Sequence, residues 1–394
     1  MTSAPLNSSS SGVPFDPSSS EVPPVPSGRR PHVIADAADP RERGRVRGER
    51  LAAHLHGAIR AYDRLFALGG IGPATVTDDA HRTLDAVDAF RPALREQMEG
   101  IAQGAGVDPW RVAALNARTE ILARSRAVPP GECSTVVRRM PTADGDVTHI
   151  GVQTWDWHVE LGPYWHTLHS LGGTHSYAGI TEHGILAKIG VNSAGLALHF
   201  NILGHRDDRV GGIPVHVLAA LVLEEADDAD HALHLLRDAP IASSGSFMLF
   251  DARRALLLDI SPEGIFEAPR ATGGTHLRTN HFLTPAPARH EKSWLYQPDS
   301  GERYAFLRDR LVRDAADADE AGAGSATDAD ALLRLLVTGP GEPPVTCVPD
   351  MNSPLGQRWA SLATVALDPA ARTARVLDGT PAEHATRPWR VLRA

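Results

Sequence analysis

The spacing of apolar side chains changes once along the chain, at about residue 133. Before that point it follows the helical period. Leu51, Leu55, Ile59, Tyr62 and Phe66 recur at three- and four-residue steps, and Gly69-Gly70 supplies a stop. Leu84, Val87, Leu94, Met98 and Ile101 continue such a stripe, interrupted at Pro92, whose ring does not fit a helix interior. Asp108-Pro109 reads as an N-cap followed by proline in the first turn, opening a helix through Leu115 to Leu122. From Cys133 onward short β-rich runs take over, at 134–138, 147–155, 185–189 and 196–200. The last two are expected to pair as a hairpin across the turn Asn192-Ser193-Ala194-Gly195. Helices follow, one opened by Pro214 with Leu218, Leu221 and Val222 inward, one around Leu233 and Leu236. Strands return at 247–250, 255–260 and 275–279. Helical patterns then hold Tyr304, Leu307 and Leu311, and afterwards 331–337 before Gly339-Pro340; 361–367 and 373–377 close the chain as a strand pair. This order predicts an α+β fold of mostly antiparallel sheets with helices packed outside them. The Ala-, Asp- and Gly-rich stretch 315–330 reads as a surface loop.

Composition narrows the function classes. A chain of 394 residues, 42% hydrophobic, can bury one large core or two ordinary ones. No apolar run is long enough to cross a bilayer, so no membrane partner is expected. The formal net charge of −9 argues against a nucleic-acid partner, because no face easily becomes a phosphate-neutralising surface. Residues 1–35, rich in Ser and Pro from Ser8 to Pro26, read as a disordered tail. Arg29-Arg30 is followed by Pro31-His32-Val33-Ile34-Ala35-Asp36 instead of the greasy run of an export signal, which makes the cytoplasm the expected location.

Candidate chemistry begins with two cysteines, Cys133 and Cys347, expected as free thiols with different jobs. Cys133 lies in Pro129-Pro130-Gly131-Glu132-Cys133-Ser134-Thr135, a loop entering a strand where helices give way to sheet. The ordinary alternative is a small buried thiol. His149, His158, His166, His169, His175 and His183 fall in one region, and His166-x-x-His169 would seed a zinc site in a rival metallohydrolase reading. No His-Glu-x-x-His pattern appears and no cysteine joins the group, so no metal or cofactor is expected.

Several segments in order carry a family likeness. Gly131-Glu132-Cys133-Ser134-Thr135-Val136 resembles the processing site of the acyl-coenzyme A:6-aminopenicillanic acid acyltransferase family, self-processing cysteine peptidases among the N-terminal nucleophile hydrolases. Gln153-Thr154-Trp155-Asp156-Trp157 resembles its Asn-Trp-Asp-Trp strand, and Gly190-Val191-Asn192-Ser193-Ala194-Gly195-Leu196, with Asn201 beyond, its second hairpin. Thr279-Asn280-His281-Phe282 resembles its Thr-Asn-His-Phe element, and Val345-Thr346-Cys347 falls where the family has a cysteine-bearing strand. The likeness runs from about Leu51 to the last residue. It implies the four-layer αββα sandwich of the N-terminal nucleophile hydrolase type. Residues 36–132 would form a helical pro-segment or small subunit that stays associated with the catalytic domain or large subunit, 133–394.

The resemblance also implies a mechanism. The Cys133 thiol attacks the Glu132 carbonyl, water hydrolyses the thioester, and the freed α-amine, with a reference pKa of about 7.7–8.0, serves as the nucleophile's own base. An acyl group from a small-molecule acyl-amide, peptide-like or acyl-thioester substrate then rests on sulphur. Asp156 would orient the amine. Asn280 would donate to the oxyanion, where loss of one donor typically costs about 10²–10³ in rate. Glu132 stands where the best-known members have Gly, and Thr154 replaces an Asn. His281 has no assigned role. Trp155, Trp157, Tyr164, Trp165 and Phe282 are candidates for an acyl pocket, with core packing as the ordinary alternative. A binding protein that keeps the fold without catalysis is the alternative from another class.

Overall fold

The structure is a computed structural model, described over residues 30–125, 133–141, 147–271, 273–295, 299–320 and 329–394. Strand β1 (His32–Asp36) comes first and corrects the expected tail, which ran through residue 35. Val33 and Ala35 are buried while their neighbours point outward, and the strand pairs in parallel with residues 167–171. Two buried apolar positions suffice for an edge strand but hardly stand out from a Ser/Pro-rich stretch.

The helical first third consists of α1 (Pro40–Leu68), α2 (Pro73–Phe90), α3 (Pro92–Ala105), α4 (Pro109–Asn116) and α5 (Arg118–Leu122). The first four each begin on a proline, whose missing N–H is one that the first turn cannot use. Pro92 therefore separates two helices instead of kinking one. Helices α1 and α3 touch backbone to backbone. A Cβ on Gly44 or Gly48 would lie 2.1 or 2.2 Å from the carbonyl oxygen of Gln97 or Ile101, and one on Gly100 or Gly104 would meet Arg41 or Arg45 at 2.0 or 2.2 Å.

From Cys133 the chain enters β2 (Cys133–Pro141), β3 (Val147–His158), β4 (Trp165–Leu171), β5 (Tyr177–Glu182), β6 (Ile189–Asn192) and β7 (Ala197–Ile202). The expected hairpin exists, but its first strand starts at Ile189, not Ile185. Before it, the Ile185 carbonyl accepts from Arg47 Nη2 (2.7 Å) and that of Leu186 from the Tyr177 hydroxyl (3.0 Å), so side chains take bonds that a sheet would use. Helices α6 (Val215–Glu225) and α7 (Ala229–Asp238) precede β8 (Gly245–Phe250), β9 (Ala255–Ser261), β10 (Gly264–Glu267) and β11 (His276–Arg278). Helices α8 (Pro285–Ala288), α9 (Asp299–Glu320) and α10 (Ala329–Leu336) lead to β12 (Trp359–Asp368), β13 (Thr373–Leu377) and β14 (Trp389–Arg393). The expected loop at 315–330 is helix α9 as far as Glu320; alanine, the best helix former, carries the element on.

The strands form an eight-stranded sheet, β1-β4-β5-β6-β7-β8-β9-β10, and a six-stranded sheet, β11-β2-β3-β12-β13-β14. Every named pairing is antiparallel except β1 with β4. The sheets face each other, with β2 against β7, β12 against β6 and β13 against β5. Helices α1, α6 and α7 cover the larger sheet, and α9 and α10 the smaller. This is the αββα sandwich. Strand period two sorts the side chains: Val136, Ile150 and Val152 pack outward with Leu307, Leu311 and Leu332, while Cys133, Val137, Trp155 and Trp157 join the core between the sheets.

Candidate active site

Cys133 heads β2 opposite Trp155 of β3 and is 4% exposed. Both of its main-chain polar groups are held by side chains. Its N–H donates to Asn280 Oδ1 (2.9 Å). Its carbonyl accepts from Asn201 Nδ2 (3.1 Å) and Arg303 Nη1 (3.0 Å). Arg303, fully buried on α9, also donates to Ser134 Oγ (3.0 Å), Asn280 Oδ1 (3.1 Å) and Asp299 Oδ1 (3.3 Å). The planar guanidinium thus ties together β2, the loop after β11 and its own helix, a geometry that a lysine cannot reproduce. Thr135 Oγ1 donates to Asn201 Oδ1 (2.8 Å) and so turns the Asn201 amide toward the Cys133 carbonyl.

Asn280 differs in orientation from the expected oxyanion donor. Its oxygen faces Cys133, while Nδ2 donates to the Ile202 carbonyl (3.0 Å). Its backbone N–H donates to Ser300 Oγ (2.8 Å), which fixes the loop on α9. In this arrangement Asn280 holds the Cys133 nitrogen through its side-chain oxygen. His281 shares the same hydroxyl through Nδ1 (2.8 Å).

Asp156 lies opposite Ser361 of β12. Its Oδ1 accepts from Ser361 Oγ (2.6 Å) and its Oδ2 from Thr154 Oγ1 (3.2 Å). Thr154 Oγ1 in turn accepts from Ser134 N–H (3.1 Å), so this departure from the family pattern still links β2 to the aspartate. Burial pushes the Asp156 carboxyl up to about 7, against the pull of the Ser361 hydroxyl and the Arg303 charge. Burial, reinforced by Asp156, pushes the Cys133 thiol up to about 12; Lys188, the Asp156 backbone N–H and Arg303 act in the opposite direction. A thiol so placed is neutral at physiological pH and needs a proton acceptor to react.

Glu132, the other half of the expected cleavage bond, lies outside the described residues, as does the loop 129–131 and most of the expected tail. Cys347 is buried beside Ser361, donating its N–H to Ser361 Oγ (3.0 Å), and neither cysteine is in a disulfide. The proposed pocket aromatics Trp155, Trp157 and Trp165 are fully buried: Trp165 stands edge-on to Trp155 at 5.9 Å, and Trp157 Nε1 donates to the Tyr62 hydroxyl (3.0 Å). Tyr164 and Phe282 are also buried. The three tryptophans and Tyr164 pack the core, while Phe282 stands edge-on to His205.

His166 and His169 do not converge, since residues three apart on a strand point to opposite faces. His166 instead meets His183, Nδ1 to Nδ1 at 3.1 Å. Among the described residues the metal-compatible cluster is His205, Glu263 and His290, with ligand atoms within 4.8 Å of one another. There the Asp207 N–H donates to His205 Nδ1 (3.1 Å), which leaves the ring proton on Nε2, donated to Glu263 Oε1 (3.1 Å). That nitrogen then has no lone pair for an ion.

Arg303, Lys188 and Ser361 were not anticipated from sequence, and Asn201 only as part of a resembling hairpin. Arg303 did leave a trace: with Leu307 and Leu311 it forms a buried i, i+4, i+8 row, in which an arginine is out of place.

The profile of the family described as Acyl-coenzyme A:6-aminopenicillanic acid acyl-transferase matches residues 142–318. Over those residues, a little under half of the chain, the sequence is similar to this family. The matched segment contains Asp156, Lys188, Asn201, Asn280 and Arg303, with Cys133 just before it. The 40 kDa form of acyl-coenzyme A:6-aminopenicillanic-acid-acyltransferase from Emericella nidulans is 29% identical over 222 residues, 56% of this chain and 60% of that protein. The chain thus spans less than two thirds of this curated relative. Among solved structures, the Caenorhabditis elegans N-acylethanolamine-hydrolyzing acid amidase ortholog aligns with a TM-score of 0.40 and 14% identity, over 60% of this chain and 93% of that one. Penicillin V acylase from Agrobacterium tumefaciens aligns with a TM-score of 0.42 and 12% identity, over 66% and 86%.

Proposed function

We propose that the chain is a self-cleaving N-terminal cysteine amidohydrolase or acyltransferase, acting on small-molecule acyl-amide, peptide-like or acyl-thioester substrates through an S-acyl-Cys133 intermediate. The observation that carries this reading is the grip on Cys133: Asn280 on its nitrogen, Asn201 and Arg303 on its carbonyl. A cysteine that merely fills the core needs no such hold. In the cut chain the Cys133 nitrogen is an amine that donates to Asn280 Oδ1 and takes the thiol proton, one residue supplying nucleophile and base. Asp156, whose N–H faces the thiol, orients and balances the ammonium form. The family match over 142–318 supports acyl transfer or acyl-amide hydrolysis as the reaction class.

The two fragments stay together in this reading, because the helices before Cys133 are bound into the sheet. Arg118 Nη2 donates to Glu182 Oε1 (2.6 Å), and the Tyr62 hydroxyl bonds the same carboxylate. Among the described residues no helix is long and apolar enough to cross a membrane, and the cytoplasm is the proposed location. Intact mass spectrometry with N-terminal sequencing tests the proposal. Wild type is expected as two fragments, the second starting at Cys133, and Cys133→Ala as one uncut, inactive chain. A wild type that stays whole and never carries an acyl group on Cys133, or a Cys133→Ala chain that still splits, refutes it.

A further inference from the structure

The uncut chain poses a problem that the cut chain does not. Before cleavage the Cys133 nitrogen is an amide, which neither accepts the thiol proton nor carries a charge to hold a thiolate. The thiol is buried beside the Asp156 carboxyl, which disfavours the anion further. A thiolate there requires a cation. Arg303 is committed to the carbonyl side, bonded to Cys133 O, Ser134, Asn280 and Asp299.

Among the described residues the other cation that acts on the thiol is Lys188, in the segment between β5 and β6, 2% exposed. Its Nζ donates to Glu182 Oε1 (3.1 Å) and lies 3.4 Å from His216 Nε2. It also stands 4.9 Å from the ring centroid of Trp155, the residue paired with Cys133 across β2 and β3, and 5.4 Å from that of Phe200. Glu182 is shared with Arg118 and Tyr62, so one carboxylate answers two cations. Lys188 and Cys133 act on each other electrostatically, and Lys188 weighs more on the thiol than Arg303 does. A lysine serving only as Glu182's partner would be a costly redundancy, since Arg118 already fills that place.

We propose that Lys188 is the positioned cation that stabilises the Cys133 thiolate, and that self-cleavage depends on it more than turnover does. The inference rests on Cys133 being the nucleophile. In the step it assists, sulphur loses its proton and bonds the carbonyl carbon before Cys133. The C–N bond to Cys133 breaks, and the proton ends on the departing nitrogen. Water then hydrolyses the thioester, leaving a carboxylate and the free thiol. Burial draws Lys188 down to about 8 against the pull of Glu182, so it is charged at neutral pH and stays an ammonium through this step. The charged and titratable groups around the pair are Glu182 on β5, His216 on α6, Arg118 on α5, Asp156 on β3 and Arg303 on α9, with Tyr62 of α1 behind Glu182.

The test uses full-length chains freshly made by cell-free synthesis. Peptide mass spectrometry follows both the new N-terminus and iodoacetamide alkylation of Cys133 as a function of pH. Lys188→Met is expected to slow cleavage about tenfold or more and to move the alkylation midpoint up by about one pH unit, since one unit of pKa is a factor of ten. Lys188→Arg is expected to restore most of both. A purely structural lysine would leave the alkylation profile unmoved. If Lys188→Met does not fold, Lys188→Gln carries the same comparison. A folded neutral variant with the wild-type profile and cleavage rate, alongside an inert Cys133→Ala, overturns the role of Lys188 alone. A Cys133→Ala chain that still splits overturns the underlying reading and this inference with it.

Discussion

Asp156 is a carboxyl whose burial costs the fold stability once it ionises, and the size of that cost is measurable. Fully buried, it has its pKa pushed up to about 7, chiefly by loss of water, despite the Ser361 and Thr154 hydroxyls. An unfolded aspartate titrates near 3.9. A group raised on folding contributes stability that is fully present below the unfolded value and is lost as pH rises through the folded one. Above neutrality the ionised side chain therefore costs roughly 4 kcal/mol relative to its protonated form, an order-of-magnitude figure. Asp156→Asn removes this titration, so its stabilising effect should grow by roughly 2–3 kcal/mol between about pH 5 and about pH 8. The measurement is urea unfolding of Cys133→Ala and Cys133→Ala/Asp156→Asn at both pH values. The Ala background matters, because a free ammonium at residue 133 would pair with the carboxylate and mask the effect. Equal differences at the two pH values, or a difference that shrinks as pH rises, would refute the claim that Asp156 is poised by burial.

The imidazoles of His158, His166, His183, His199 and His216 are all depressed by burial, those of His158, His183 and His199 to about 3. They contribute stability present above the unfolded value of about 6.5 and lost below it, so each should cost roughly 1 kcal/mol between about pH 6.5 and about pH 5.5. Asp156 opposes this by about one group's worth, and the expected net outcome is a urea midpoint that falls clearly in that interval; a flat midpoint would contradict it. Gly100→Ala places a Cβ 2.0 Å from the Arg41 carbonyl, with backbone on both sides and no flexible side chain to yield. Overpacking of this kind typically costs about 1–3 kcal/mol, read as a lower urea midpoint, and a neutral Gly100→Ala would mean that α1 and α3 are free to separate.

What the sequence disclosed follows from how each signal is written. The stripe from Leu51 to Phe66 and the row Leu84, Val87, Leu94, Met98, Ile101 announce helices because one face of each is buried over several turns. Strand β1 escapes because only Val33 and Ala35 face inward. Strands β4 and β5 hide for the opposite reason: sandwiched between sheet and helices, they bury polar as well as apolar residues, among them His166, Thr167, Thr181 and Glu182, which erases the alternation. The site divides in the same way. Cys133, Asp156 and Asn280 sit in short local motifs that sequence can display. Arg303 and Lys188 are joined to Cys133 by the fold alone, 170 residues away for Arg303; the row that Arg303 shares with Leu307 and Leu311 marks it as buried but not as a partner of Cys133, and Lys188 has no local pattern.

That division has a structural cause in the pleat of β2. Successive residues face opposite sides, so Cys133 and Thr135 look into the space between the sheets while Ser134 looks out toward α9. The inner layer supplies Asn201 of β7, which holds the Cys133 carbonyl, and Lys188 just before β6, which acts on the sulphur. Asp156 shares the outward face of β3 with Thr154, opposite Trp155 and Trp157, and Arg303 also reaches Cys133 from that side. Both layers thus act on the charge state of the sulphur and on the position of the backbone. The effects should separate by side-chain chemistry, with substitutions of the charged groups Lys188 and Asp156 moving pH profiles and substitution of the neutral Asn201 moving the geometry of attack.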